Sequence, residues 1–474
     1  MPGSSPSWPN TAWTPGSPGT DVAGTESVCP VCLARIPARL AERDGEVRLE
    51  KSCPEHGDFS VPVWRGKPAL AGWTRPKTPS FPAAPAAGGE RGCPFDCGLC
   101  PEHGQHTCTV LVEVTSRCSL RCPLCFASAG GWRDDGPDPS AGSLDALMRA
   151  VRAVAGPCNL QFSGGEATER EDLPDLVRRA KAAGFPFVQL NTNGLRLAGG
   201  PEYAGELRRA GLDSAFLQFD GTDDSVHQAL RGRPLLAAKL RAVENLGRAG
   251  IGVVLVPTVV PGVNDDDLGG LLRLAADLSP TVRGIHFQPV SYFGRYPVPP
   301  DDAGRITLPE VMAGLEAQTG GLVSARDFAP PGCEHAQCSF HANYLVEEDG
   351  SLRLLTRPAC GCAPRPAAEG AAAAKAFVAR QWAAPASAPE SPARPLDDLD
   401  RFLARASRHM FAVSAMAFQD CWTLDLERLR GCCIHVAAPG GGGRLVPFCA
   451  DSLTSRGGRS RYRRPGAGTG AAAV

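Results

Sequence analysis

The chain has no apolar run approaching the roughly 18 residues of a membrane-spanning helix, which argues against an integral helical membrane protein. It also lacks an excess of charge of either sign. With 49 Lys and Arg against 50 Asp and Glu, the formal net charge is -1, and nothing in the balance draws the chain toward nucleic acid. The opening Pro/Ser/Gly stretch, Pro2 to Thr25, has neither the basic start nor the apolar centre of a secretory signal, so a cytoplasmic location is expected. A reducing compartment does not keep disulfides, so the 19 cysteines point to metal or clusters instead. Hydrophobic residues make up 43% of the chain, enough for a sizeable core. Arg456 to Arg464 forms a basic tail, read as a solvated end.

What is present is a cysteine spacing used twice. Cys93, Cys97 and Cys100 form C-x3-C-x2-C, and so do Cys118, Cys122 and Cys125. Thr109 to Thr115, an apolar and β-branched run, precedes the second copy and reads as a buried strand. Its thiols therefore sit on a loop leaving a strand end, where α/β scaffolds hold chemistry. Three thiolates can hold a cubane iron–sulfur cluster whose fourth iron stays open to a ligand. A structural zinc site also uses closely spaced cysteines. The first copy follows a Pro/Ala/Gly-rich stretch rather than a strand and has Cys108 to hand as a fourth thiol, so it reads as a fully ligated auxiliary cluster.

Phe162-Ser163-Gly164-Gly165-Glu166 follows a second apolar run. Adjacent glycines admit a ligand close to the backbone, and the carboxylate can accept from an ammonium group. Further strand ends carry Asn191, Asn193 and Asp220, suited to ribose hydroxyls or a substrate, although Asx-turn chemistry explains such residues equally well. Asn193 is favoured for a cofactor, and His286 and Gln288, on the sixth strand, for the substrate. Six strands alternate with helical segments, notably 143–155, 172–183, 205–210, 235–249 and 266–277. The expected fold is α/β, a partial (β/α)6 barrel of parallel strands with its ligand face at the strand carboxyl ends.

Flanking modules complete the chain. Cys29, Cys32 and Cys53 read as ligands of a zinc-ribbon-like or rubredoxin-like site holding one iron or zinc. His56 is either the fourth ligand or a surface residue. After the barrel, Cys333 and Cys338 precede a strand-like run, 342–346, and a turn at Glu348-Asp349-Gly350. A segment of helical periodicity, 399–418, and two strands carrying Cys433 and Cys449 follow. Cys333, Cys338, Cys433 and Cys449 are expected to hold a second auxiliary cluster, with Cys433 preferred over Cys432, although any one of them could be a free buried thiol. Expected boundaries are a tail at 1–25, the metal module at 26–75, an auxiliary segment at 90–108, the barrel at 109–310 and a second auxiliary segment at 311–362. An Ala/Pro-rich spacer with a central helix (371–382) occupies 363–395, a C-terminal cluster segment 396–457, and a second tail 458–474. No role is assigned to Cys360, Cys362 or Cys421.

The segment Arg117 to Phe126 resembles the signature of the radical S-adenosylmethionine superfamily, and Gly164-Gly165-Glu166 its amine-binding motif, with Ala167 where many members have proline. The order of motifs over about 26–457 resembles one subgroup, the archaeal tetraether lipid synthases and the related hydroxymethylpterin methylases. The resemblance implies a SAM-binding 4Fe–4S cluster on Cys118, Cys122 and Cys125, with Phe126, Gly164, Gly165, Glu166 and Asn193 at the cofactor. It also implies two auxiliary clusters, one mononuclear metal, a C-terminal SPASM-like iron–sulfur extension, and an electron donor such as ferredoxin or flavodoxin. The leading expectation is carbon–carbon coupling of lipid alkyl chains, with peripheral membrane contact left open. Methylation of a pterin or other small molecule is the first alternative, and a non-enzymatic iron–sulfur electron-transfer scaffold the second.

Overall fold

The computed structural model describes residues 20–81, 90–130, 137–356, 364–385, 397–438 and 442–463. Cys360 and Cys362 lie outside them. The first four strands, β1 (Thr20–Val28), β2 (Arg35–Arg43), β3 (Glu46–Cys53) and β4 (Gly57–Arg65), form an antiparallel sheet in sequence order. The β2–β3 hairpin closes on Asp44-Gly45, whose φ values of 52° and 79° are those a two-residue hairpin turn requires. β1 starts at Thr20, inside the segment expected to be a tail.

A short β5 (Lys77–Thr78) leads to the main sheet. Its centre is β6 (Thr109–Glu113), β7 (Asn159–Ser163), β8 (Val188–Thr192), β9 (Ser214–Gln218), β10 (Gly252–Val256), the two-residue β11 (Thr258–Val259) and β12 (Val282–Pro289), with every neighbouring pair parallel. β7 and β10 are buried at every residue, as strands covered on both faces must be. Helices α1 (Ala141–Ala155), α2 (Leu173–Ala182), α3 (Pro201–Ala210), α4 (Asp224–Arg231), α5 (Leu236–Arg248) and α6 (Leu268–Asp277) supply the outer layer. Each of α1, α2, α5 and α6 turns an apolar stripe inward, in α1 Leu144, Leu147, Met148 and Val151. Helix α7 (Leu308–Thr319) packs on α6.

The sheet continues past the six barrel strands at both edges. β13 (Ser339–Val346), β14 (Leu352–Leu354) and β16 (Met410–Met416) extend it beyond β12; β17 (Ile434–Ala437) and β18 (Leu445–Pro447) extend it beyond β6. The expected single helix over 399–418 is instead α9 (Asp398–His409) followed by β16. The buried Phe411, Ala412, Val413 and Ala415 gain more in a strand between β12 and β13 than a helix at the surface would give them. The expected spacer holds β15 (Arg365–Pro366) and a packed helix, α8 (Ala367–Trp382). Gln381 of α8 exchanges hydrogen bonds with Arg283 at the start of β12, and Lys375 donates to Pro157 ahead of β7. α8 thus lies across the amino ends of barrel strands. The tail expectation for 458–474 fails at its start, because Arg463 pairs with Asp451 and Glu113, and Tyr462 donates to the Pro94 carbonyl. Two short helices, α10 (Leu426–Arg430) and α11 (Phe448–Asp451), complete the described chain.

Candidate functional site

One cavity of about 1010 Å³ occupies the barrel lumen and its mouth. Cys118, Cys122 and Cys125, Gly164 to Glu166, Asn193, His286 and Gln288 all line it. The cysteine loop leaves β6 and is held by backbone. Gly165 N donates to Thr115 O at 2.7 Å and Glu166 N to Arg117 O at 2.8 Å. A Cβ on Gly164 would lie 2.2 Å from Thr115 O, and one on Gly165 2.2 Å from Arg117 O, so the paired glycines are needed for loop-to-loop contact as much as for a ligand. Phe126 faces the cavity and stacks at a tilt on Phe448, with ring centroids 5.6 Å apart.

Glu166 is 2% exposed and fully engaged by the protein. Its Oε1 accepts from Thr168 N (3.1 Å), Thr168 Oγ1 (2.6 Å) and Thr192 Oγ1 (2.8 Å), and its Oε2 accepts from Asn193 N (2.6 Å). Burial raises its pKa, and these donors work against the rise. The carboxylate therefore ties the β7 and β8 loops together, while Asn193 Nδ2 reaches Ser119 Oγ on the cysteine loop at 3.3 Å.

Two buried cations beside the site carried no signal in the sequence. Arg231 forms a two-pronged pair with Asp220, at 2.7 and 2.6 Å, and its charge falls on the Cys122 sulfur. Burial alone would push the Asp220 carboxyl up, but Arg231 outweighs it and holds the group below its ordinary range. Lys239, fully buried, donates to Asn193 O and Gln218 O, and burial lowers its pKa to about 8. Neither is recognisable from spacing, because each becomes a site residue only when α4 and α5 pack under the strand ends.

The remaining thiols fall into groups that differ from the expected partition. Cys108 does not join Cys93, Cys97 and Cys100; it lies with Cys333 and Cys433 in a separate buried cluster. The reason is the sheet: β17 pairs with β6, bringing Cys433 directly opposite Cys108, whose N–H donates to Cys433 O. Cys338 and Cys449 do not join that cluster; the buried Arg428 guanidinium contacts Cys338 Sγ at 3.6 Å and feels the charge of Cys449, which in turn acts on Cys432. Cys93 and Cys97 share an apolar cluster with Cys421 and Cys449.

The N-terminal site is spaced for one ion. The ligand atoms of Cys29, Cys32, Cys53 and His56 all lie within 4.8 Å of one another. Sγ to Nδ1 separations of 3.7 Å (Cys29–His56) and 3.5 Å (Cys53–His56), and 4.0 Å between Cys32 and Cys53 sulfurs, match the roughly 3.6 to 3.8 Å edges of a tetrahedron with bonds of about 2.1 and 2.3 Å. His56, left open by the sequence, is thus brought into position as the fourth ligand.

A family model described as the radical SAM superfamily matches residues 112–275, and one described as the HMPTM N-terminal zinc ribbon domain matches residues 22–65. A 7,8-dihydro-6-hydroxymethylpterin dimethyltransferase from Methanocaldococcus jannaschii is 35% identical over 91% of this chain and 94% of its own length. The chain belongs to the radical SAM superfamily. It is accordingly an enzyme that uses S-adenosylmethionine and a 4Fe–4S cluster and draws on an electron donor. Its zinc ribbon and buried cysteine groups fit a further metal and auxiliary clusters. Another relative, a GTP 3',8-cyclase from Pelotomaculum thermopropionicum, is 30% identical over 47% of this chain and 66% of its own length. Among solved structures, Streptococcus suis SuiB bound to S-adenosylmethionine is similar at 13% identity, covering 45% of this chain and 47% of its own, with a TM-score of 0.37. No helix among the described residues is long and apolar enough to cross a membrane.

The three thiols of the second copy suit the cluster this superfamily carries. They face the cavity with Leu120, Leu195 and Leu235 packed around them, an apolar setting with one open side.

Proposed function

We propose that this enzyme methylates a pterin-type heterocycle by radical chemistry. The observation that carries the reading is the 35% identity to a pterin dimethyltransferase, which extends over nearly the whole of both chains rather than over the radical domain alone. This reverses the order in which the sequence ranks the two products, placing lipid coupling second. The lumen supports the reversal. Gln161, Gln189, Asn191, Gln288 and His286 project polar groups into the cavity beneath the cysteine loop. Most of these amides bond to one another or to serine hydroxyls; a hydrocarbon chain would shut off from water what they leave unpaired, such as Gln161 Oε1, at about 1–3 kcal/mol per group, whereas a heterocycle can satisfy it.

When bound, S-adenosylmethionine and the cluster supply a carbon radical able to take hydrogen from an unactivated carbon. The chain's residues orient and enclose. Cys118, Cys122 and Cys125 hold the cluster; Gly164, Gly165 and Asn193 shape the cofactor's seat, which Glu166 braces. Burial pulls the His286 imidazole down to about 4, so it stays neutral at physiological pH and offers the substrate a hydrogen bond without charge. Helix α8 lines the cavity from the amino ends of the strands, the side away from the cysteine loop.

The test is anaerobic turnover of reconstituted protein with dithionite, S-adenosylmethionine and 7,8-dihydro-6-hydroxymethylpterin. We expect 5'-deoxyadenosine and methionine from one S-adenosylmethionine, and a pterin that has gained one or two methyl groups, each donated by a further S-adenosylmethionine that leaves as S-adenosylhomocysteine, with dithionite supplying two electrons per methyl. An unchanged pterin, with joining of chain ends when a dialkyl lipid is supplied in its place, would overturn the reading.

A further inference from the structure

Three aromatic rings converge on the lumen. Phe216 of β9 lies 5.3 Å, centroid to centroid, from both His286 of β12 and Trp382 of α8, and His286 lies 6.3 Å from Trp382. All three line the cavity. Trp382 is the last residue of α8, so the segment that composition reads as a spacer supplies one wall of the binding site.

A row of carboxamides runs up to this aromatic group. Gln161 stands opposite Gln189 in the β7–β8 register, and Asn191 opposite Phe216 in the β8–β9 register, so the row ends where the rings begin. Gln161 Nε2 donates to Gln189 Oε1 at 2.9 Å and to Asn191 Oδ1 at 2.7 Å. Gln189 Nε2 in turn donates to Ser214 Oγ at 3.2 Å, and Asn191 Nδ2 reaches Ser163 Oγ only at 3.4 Å. As these amides are oriented, both donor positions of Gln161 are used within the row. Its Oε1 is left as an acceptor with no hydrogen-bond partner among the described residues. His286 Nδ1 is engaged by Ser414 Oγ at 2.8 Å, which leaves Nε2 as the ring's second polar atom.

We propose that these residues form the substrate's recognition site: a flat bicyclic heterocycle with an aminopyrimidinone ring stacks that ring on the Phe216–Trp382 face while its amino-lactam edge donates to Gln161 Oε1 and meets Asn191 Nδ2. The chemistry of each part selects for such a ligand. The rings favour a flat π-system whatever its substituents. The oriented amides discriminate along its edge, since an analogue without the donor leaves a buried acceptor unpaired. The inference rests on the pterin reading and adds the residues that would read the ring.

Equilibrium binding to the anaerobically reconstituted holoenzyme tests it, with 7,8-dihydro-6-hydroxymethylpterin and its 2-oxo analogue, which lacks the exocyclic amine, as probes. Wild-type protein should prefer the amine-bearing pterin. Gln161→Leu should lower pterin affinity by about tenfold and erase that preference. Trp382→Leu should weaken both ligands by a similar factor and keep their ratio, and Trp382→Phe should restore most of the loss. The ratio between ligands is the decisive readout, because misfolding lowers the active fraction without changing relative affinity in the remainder. If wild-type protein binds neither probe, the pterin reading itself fails. If it binds and methylates the pterin while Gln161→Leu keeps wild-type affinity and preference and Trp382→Leu binds normally, the recognition site is overturned and the pterin reading stands.

Discussion

The two copies of C-x3-C-x2-C carry the same ligands at the same spacing in opposite surroundings. Cys93, Cys97 and Cys100 are 3–5% exposed and sealed by distant chain: Tyr462 Oη accepts from Cys97 N at 3.0 Å and Arg444 donates to Cys97 O at 2.5 Å. Cys118, Cys122 and Cys125 line the lumen, with the Gly164-Gly165 turn pressed against the backbone of their loop. Spacing therefore establishes that three thiols can share a cluster, and position in the fold decides what the cluster can touch. A site at a parallel strand's carboxyl end opens onto the barrel mouth, whereas Cys93, Cys97 and Cys100 are not among the residues that line the cavity.

Replacing cysteines breaks this comparison most directly. Alanine at Cys118, Cys122 and Cys125 should abolish 5'-deoxyadenosine formation, while alanine at Cys93, Cys97 and Cys100 should leave some cleavage and stop methylated product. Chromatography of both products in the two triple variants measures this, and the opposite pattern would mean that the roles of the copies are exchanged. A smaller effect is expected at Glu166, whose turn packs on the second copy. Glu166→Gln replaces one accepting oxygen by a donor, so it cannot keep all four of its present partners. The β7 and β8 loops should loosen and S-adenosylmethionine affinity fall about ten- to a hundredfold, each tenfold step being about 1.4 kcal/mol. Titration with the cofactor reads the affinity, and the cluster's absorbance should stay constant because no thiol is touched. Wild-type affinity would reduce Glu166 to an ordinary turn residue.

The barrel was legible because its signals are local. Short apolar runs alternate with amphipathic helices, and the motifs fall at the ends of those runs, so six strands, their order and the lumen-facing Cys118, Glu166, Asn193 and His286 could all be read from the chain. The thiol partition was not, because it depends on which strands add to the sheet edges. Cys108 pairs with Cys433 only because β17 joins β6, a contact across most of the chain that no spacing encodes. Composition also misled at α8. An Ala/Pro-rich segment resembles a spacer until Gln381 and Trp382 are seen bonded and packed against the barrel. Glu166 shows a subtler gap: its place at a strand end was visible, but its occupation by four protein donors follows from the loops that surround it.

The N-terminal module sharpens the contrast between thiols that open on the lumen and thiols that do not. Its four ligand atoms sit at single-ion spacing and none of them lines the cavity, so its metal should stabilise the module without entering the reaction. Three of the ligands are held within or beside the sheet of β1 to β4, but His56 is exposed, on the turn between β3 and β4. His56→Ala therefore removes one ligand with little disturbance of packing. Metal retention by the module should fall by at least about tenfold, since even partners outside the first coordination sphere command ten- to a hundredfold in affinity. A chromogenic zinc-release assay on the purified variant measures the loss, and 5'-deoxyadenosine formation by the same sample should persist. Unchanged retention would remove His56 from the coordination sphere and leave Cys29, Cys32 and Cys53 to hold the ion with some other fourth ligand. Loss of cofactor cleavage together with the metal would instead tie the module to the radical site, and the separation drawn between the two kinds of thiol site would fail.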